Sequence, residues 1–373
     1  MLDFAARSAT AGRTHRLSHR ITLIPGDGIG PEVVEAARRA MEATGVRLRW
    51  DVHEVGAVAI ERSGTPLPAA VLESVAERGV ALKGPVGTAS SAGLRSVNVT
   101  LREELGLQAG IRPSRTWPGV RAPVEQLDVV IVRMLAGDLY AGIEFAPGSD
   151  AVARLRELVA DTCGRELAAD AGVSLKPISP AQAKAVARIA LDYARDHGRR
   201  TVTIVHKATV MRATDGAFLA AARGVADEQP AEDLVVDDRL VDTVCHDLAA
   251  RPGRCDVLLT SMLYGDLLAD LCAGLSGGLG LAPGVNVGPS CAVFEAVHGT
   301  VAHEAGRDRA NPMALILSGA MLLRHVGEAT AAGRLERAVA AVLADGRTVT
   351  YDLARECDPA GTTAVTDAVM AAL

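Results

Sequence analysis

Asp266 and Asp270 stand four residues apart in SMLYGDLLADLCAGLSGGLG, residues 261–280, a stretch that reads as a helix start. Side chains at i and i+4 share one helical face about a turn apart. Two carboxylates held that close repel each other unless a cation sits between them. Hard divalent ions such as Mg²⁺ take oxygen ligands from one or two carboxylates and leave positions for water and substrate. A solvated acidic face is the plainer alternative. Leu267, Leu268, Leu271 and Cys272 flank the pair, however, and put it at an apolar boundary, which favours the metal.

Other candidates follow along the chain. Arg102 and Arg112 lie in SVNVTLREELGLQAGIRPSRTWPG, residues 96–119, which opens with Ser96 and Asn98; Arg133 ends the apolar run DVVIVR. Guanidinium forks match carboxylates bidentately and stay charged when half-buried. Three of them at element ends suit a substrate with several carboxylates. Ordinary surface arginine is the default for any one of them, least so for Arg133. Lys207 follows the apolar run TVTIVH. Beside a metal its pKa would fall and let it act as a base; otherwise it is a strand-end lysine reaching solvent. Tyr140 in DLYAGIEF, residues 138–145, is a general-acid candidate if its pKa is depressed, and a packing tyrosine otherwise. GDGIG at 26–30 exposes backbone N–H groups to an anion or simply makes a tight turn; it is not GxGxxG. FEAVHGTVAHEAGRDRANP, at 294–312, offers His298, Gly299, Gly306 and Asn311 for a backbone-lined nucleotide pocket, or is a loop of no function.

These residues need a frame. The 373 residues exceed what one core usually holds, so two domains are expected. Strand candidates at 21–24, 80–83, 128–133, 201–206 and 255–260 alternate with helical patterns at 33–43, 68–78, 180–197, 216–228, 240–250 and 312–326, which predicts an α/β protein. Strand and helix signals mix over 138–180, read as an insertion or arm; glycine clusters at 274–288 and 298–306 read as loops. A net charge of −6 and 3% aromatics argue against nucleic acid and anionic membranes as partners. No apolar run is long enough for a membrane span. Residues 1–19 lack a secretory signal's apolar core and read as a flexible leader. Six scattered cysteines suggest free thiols and a cytoplasmic location.

Taken together, IPGDGIGPE, SVNVTLREELGLQAGIRP, DLYAGIE, VHKA, VDTVC, LYGDLLADLCAGLSGGLG, EAVHGT and ANP resemble the isocitrate and isopropylmalate dehydrogenases, metal-dependent β-decarboxylating enzymes, from about residue 20 to 371. The resemblance implies their own α/β fold rather than a Rossmann fold. It implies a large domain from 20–107 and 277–373, a small domain from 108–137 and 181–276, and a clasp-like arm at 138–180. It also implies a homodimer whose active sites are shared between subunits. Asp266 and Asp270 then match ligands of Mg²⁺ or Mn²⁺, with Asp242 of VDTVC as a third carboxylate delivered, with Lys207, by the neighbouring subunit. Arg102, Arg112 and Arg133 match the grip on the substrate's malate core. Lys207 matches the base at the hydroxyl, and Tyr140 the donor that protonates carbon after CO₂ departs. Thr88, Glu295, His298, Gly299, Thr300, His303 and Asn311 match cofactor-binding positions.

Ser96 and Asn98 match the polar pair of isocitrate-type members, which suits a terminal carboxylate better than an isopropyl group. Isocitrate is the expected substrate of this resemblance; a phosphonate analogue (phosphonomethylmalate-like), isopropylmalate and homoisocitrate are the alternatives. Tyr351 and Arg355 match contacts to the 2′-phosphate of NADP, and His303 could touch that phosphate while Glu304 beside it would repel it; NADP is the expected cofactor and NAD the alternative. Thr209, Met262, Met134 and Leu135 replace residues usual in the family and point toward a specialised member. A catalytically silent regulatory subunit is the competing class; the survival of Tyr140, Lys207, Asp242, Asp266 and Asp270 argues against it.

Overall fold

The computed structural model describes residues 18–87, 96–230, 233–355 and 357–373. Its strands are β1 (His19–Ile24), β2 (Leu48–Val52), β3 (Val80–Lys83), β4 (Ala109–Arg115), β5 (Asp128–Met134), β6 (Glu144–Phe145), β7 (Val173–Ser174), β8 (Thr201–His206), β9 (Val235–Leu240), β10 (Val257–Thr260), β11 (Pro283–Val287) and β12 (Ala292–Ala296). Ten form one sheet in the order β2-β1-β3-β12-β11-β4-β5-β10-β8-β9, and β6 pairs with β7 separately. The strands β2, β1, β3 and β12 run parallel, as do β5, β10, β8 and β9. Between them, the pairings β12–β11, β11–β4 and β4–β5 are antiparallel, so the two parallel blocks point in opposite directions. A Rossmann sheet has no such reversal.

Parallel strands covered on both faces read as continuous apolar runs, and residues 129–132 are fully buried. The largest cluster packs Ile21, Leu82 and Phe294 of the sheet against Met41, Ile316 and Leu335 of the flanking helices. A smaller cluster sits under helices Ala69–Arg78 and Val97–Glu104, and another under Val241–Ala250 and Met262–Ser276. The expected arm contains the β6–β7 ribbon and helix Asp150–Cys163, whose start is capped by Ser149 accepting from the Val152 N–H.

Two expectations change. Residues 283–287, read within a glycine-rich loop, are the sheet strand β11. The expected leader ends inside a strand, because β1 begins at His19. Among the described residues, no helix is long and apolar enough to cross a membrane, and all six cysteines are free.

Candidate active site

Sheet register lines up the first part of the site. Lys83 of β3 pairs with Glu295 of β12, and Glu295 with Gly284 of β11; continuing the β11–β4 register puts Arg112 opposite Gly284. The neighbouring row runs Asn286, Gly110, Arg133, Thr260. Residues two apart share a face, so both rows project to the same side. Glycines clear room for the guanidinium groups. A Cβ on Gly284 would lie 2.8 Å from Arg112 Nη1, and one on Gly265 would collide with Arg133 Cβ.

Glu295 is the anion of this rank. Its Oε2 lies 2.8 Å from Lys83 Nζ, and its Oε1 accepts from Arg112 Nη2 at 3.0 Å and Asn286 Nδ2 at 2.7 Å. Arg102, at the end of helix Val97–Glu104, lies 3.7 Å away. Burial would raise the Glu295 carboxyl, but Lys83, Arg112 and Arg102 hold it far below the usual carboxylate range. Burial lowers Arg112 to about 10 and Arg102 in the same direction; Arg112 at about 10 is still charged at neutral pH. Glu295, matched to the cofactor loop by resemblance, is therefore a buried strand residue that organises the arginines.

Asp266 joins the arginines to the acidic helix. Its two oxygens accept from Arg133 Nη1 and from the Tyr140 hydroxyl. Burial opposes its ionisation, yet Arg133 and Tyr140 hold its pKa down. Burial and the charge of Asp266 raise Asp270. Tyr140 is pushed up to about 12 by burial and by its bond to Asp266, the reverse of the depressed pKa expected of it. It is thus a protonated hydroxyl at neutral pH, the form a proton donor needs.

Lys207 and Asp242 meet in one chain: Lys207 Nζ donates to Asp242 Oδ1 at 2.7 Å, which lowers the Asp242 pKa. Among the described residues, no three carboxylate, histidine or cysteine side chains of one chain group as a possible metal site. Asp266 and Asp270 fit a hard cation: they are oxygen donors a helical turn apart, and Asp270 feels the excess negative charge.

Most of the remaining candidates lie at helix Val97–Glu104 or in the segments that follow β12. Ser96 precedes helix Val97–Glu104, and among the described residues the buried Oδ1 of Asn98 lacks a partner, as do Nε of Arg102 and Arg133. His298 Nδ1 donates to Gly299 O at 3.1 Å; among the described residues its buried Nε2 has no partner, and burial lowers its pKa. An orphaned ring nitrogen fits a ligand contact, so the loop suits a nucleotide. The Thr300 carbonyl accepts from Ile29 N at 2.9 Å, and Gly28, at φ +61°, packs against it. GDGIG thus spends the N–H groups of Asp27, Ile29 and Gly30 inside the protein, on Pro85 O, Thr300 O and Asp27 O, as a tight turn does. Asn311 donates to Asp352 Oδ2 at 2.9 Å, and Arg309 stacks over Tyr351, 5.1 Å to the ring centre. His303 and Arg355 are exposed. Thr88 lies outside the described residues.

Reading the sequence missed Lys83 and Asn286. The signal that marked Arg133, a cation ending an apolar strand, is equally present in VALK at 80–83.

The model of the family described as isocitrate/isopropylmalate dehydrogenase matches residues 20–369. The chain belongs to that family. Within the isocitrate/isopropylmalate dehydrogenases it is similar to the probable isocitrate dehydrogenase (NAD) subunit alpha, mitochondrial, of Drosophila melanogaster: 38% identical over 349 residues, 94% of this chain and 85% of that one. It is similar to the isocitrate dehydrogenase (NAD) catalytic subunit 5, mitochondrial, of Arabidopsis thaliana: 38% identical, covering 89% and 83%. The crystal structure of isocitrate dehydrogenase from Methylococcus capsulatus superposes with a TM-score of 0.85 at 44% identity, covering 95% of this chain and 99% of that one. The TT0538 protein from Thermus thermophilus superposes at 0.84 with 37% identity, covering 95% and 68%. The fold is that of the isocitrate/isopropylmalate dehydrogenases, as the motifs implied.

Proposed function

We propose that the protein oxidises and decarboxylates isocitrate to a 2-oxo acid. The observation that carries this reading is Asp266, bridged by Arg133 and Tyr140 one turn from Asp270 and facing Arg102. Carboxylate-binding cations, a proton donor and a metal-type acid pair thus meet around one carboxylate. The family membership and the relatives' names support it.

Arg102, Arg112 and Arg133 supply the positive charge that attracts the substrate's carboxylates, Arg112 with both Nη groups already donating inside the protein. Asn98, with its unpartnered oxygen, and Ser96 face the third arm of the substrate, which favours a polar group over an isopropyl group. Lys207 takes the hydroxyl proton, and Tyr140 returns a proton to carbon after CO₂ leaves. Asp266 and Asp270 would hold Mg²⁺ or Mn²⁺, which supplies positive charge that acidifies the hydroxyl and steadies the charge left by decarboxylation. Asp242 and Lys207 reach this site from a second copy, making a homodimer with shared sites. Exposed Leu267 and Leu271 on the Asp266 helix supply apolar surface for that contact. The large domain, small domain and arm divide as 20–107 with 277–373, 108–137 with 181–276, and 138–180.

For the nucleotide, the names of the relatives carry NAD and lend no support to NADP. Glu304, 3.5 Å from Arg309, would accept from a ribose hydroxyl and repel a 2′-phosphate, so NAD is the cofactor of this reading; Tyr351 and Arg355 keep NADP as the second. Free thiols suit a reducing compartment such as the cytoplasm, although these relatives are named mitochondrial.

The test is absorbance at 340 nm with purified protein, Mg²⁺ or Mn²⁺, NAD or NADP, and a panel of 3-substituted malates. Isocitrate with NAD gives the fastest turnover. Faster turnover of a phosphonate analogue or of isopropylmalate would replace the substrate, and no turnover with any of them would leave the silent-subunit reading.

A further inference from the structure

Lys176 has no part in the reaction described above, yet it sits at a charged junction. Its Nζ donates to Asp215 Oδ1 at 2.5 Å, lies 3.9 Å from Asp138 Oδ1, 3.7 Å from Met211 Sδ, and 4.7 Å from the centre of the Tyr264 ring. Asp138 and Asp215 are almost fully buried. Burying two carboxylates this far from water is costly unless a cation pairs with them.

Each acid spends its other oxygen on a backbone N–H of a different element. Asp215 Oδ2 accepts from the N–H of Lys207 itself at 2.7 Å. Asp138 Oδ2 accepts from Leu263 N at 3.0 Å, capping the helix that carries Asp266 and Asp270. Asp138 also opens the turn that presents Tyr140; it holds a left-handed φ of 54°, and its N–H is tied to Pro177 O, next to Lys176, at 2.8 Å. Segments near 140, 176, 207 and 263 therefore converge on one ammonium group.

We propose that Lys176 is a positioning residue: by gathering Asp138 and Asp215 it fixes the Tyr140 turn and the start of the Asp266 helix for this chain's own site, and the backbone of the Lys207 that reaches the second copy's site. The inference rests on the reaction proposed above. It adds that the arm segment takes part in catalysis through geometry. Misplacing reacting groups by about 1 Å costs about 10²-fold in rate. Arg102 and Arg112 are bonded to or beside Glu295 rather than to the junction, so most of the substrate's charge attraction is expected to persist.

The experiment is steady-state kinetics with amide hydrogen exchange on Lys176→Met, Lys176→Arg and the parent. K176M is expected to lose about 100-fold in kcat with KM for the hydroxy acid nearly unchanged, and K176R to recover most of the loss. Exchange rises at Lys207 and Leu263, the two N–H groups released, and stays level elsewhere. A folded K176M with parental kcat, or one whose kcat and KM worsen together while exchange rises throughout, overturns the proposal. Should K176M not fold, Asp215→Asn carries the same test: it keeps an acceptor for Lys207 N but loses the charge that holds Lys176, and an unchanged kcat overturns the idea. If the parent turns over no hydroxy acid, the proposed reaction fails; the exchange data still decide, because unchanged protection at Lys207 and Leu263 in K176M refutes the junction on its own.

Discussion

Glu295→Gln isolates the buried anion of the arginine rank. Glutamine keeps the shape, so no cavity term enters. It turns one accepting oxygen into an N–H₂ group that faces Lys83 or Arg112, now 2.8 and 3.0 Å from the carboxylate. Removing one partner from a buried charge cluster costs about 3–5 kcal/mol, because the remaining charges stay buried and uncompensated. Unfolding entropy is about 2.1 cal/mol/K per residue, roughly 0.78 kcal/mol/K for 373 residues (2.1 × 373). The loss therefore lowers Tm by about 4–6 °C. The pH dependence has a fixed sign. Glu295 has a depressed pKa in the folded protein, so its contribution is complete above the unfolded value of about 4.3 and drains as pH falls toward the folded one. Differential scanning fluorimetry of parent and E295Q should show a constant gap from about pH 8 to about 5.5 that narrows below about pH 4. Salt should barely alter the gap, since buried pairs are weakly screened. A gap under about 1 °C, or one that widens with acid, refutes Glu295 as the anion that holds the rank together.

Asp270→Asn should abolish turnover and also the thermal shift caused by Mg²⁺. At a hundredfold excess over Kd the ion adds about 2.7 kcal/mol, or about 3–4 °C on the same scale, and a chelator reverses the shift in the parent; an equal shift in D270N contradicts the ligand role. Lys207→Met should lower kcat by about 10²–10⁴ with little change in Tm, because its pair with the exposed Asp242 is partly solvated; normal turnover removes Lys207 as the base. Gly284→Ala pushes a methyl group against Arg112, at a cost of about 1–3 kcal/mol. KM for the hydroxy acid should rise more than kcat falls, and an unchanged KM means that Arg112 does not touch substrate.

The chemistry was legible wherever it is local. The four-residue spacing of Asp266 and Asp270, and a cation ending DVVIVR, are short-range signals, and the structure places Arg133 on Asp266. Strands β3, β5, β8 and β10 were readable because each is a short buried run dominated by Val, Ile and Leu. Strand β11, PGVNV, was not: proline and glycine mark turns, yet here Gly284 makes room for Arg112, and Pro283 opens the strand. Lys83, Asn286 and Glu295 come from distant stretches of chain and meet only through strand order. Asp215 and Lys176 were silent for a like reason, since an isolated acid or lysine says nothing until folding brings its counterion. The raised pKa of Tyr140 also needed coordinates, because its cause is the neighbour 126 positions away.

The reversal at the middle of the sheet has a mechanical consequence. Since β12, β11, β4 and β5 are laced together by backbone hydrogen bonds, the oppositely directed blocks are not two bodies on a string. Any gape between them must be taken up as flexure of those four ribbons, like a leaf spring, and that spring carries Glu295, Arg112 and Arg133 along its length. Such flexure would re-aim the guanidinium groups proposed to grip the substrate, so entry and grasp would be one elastic act.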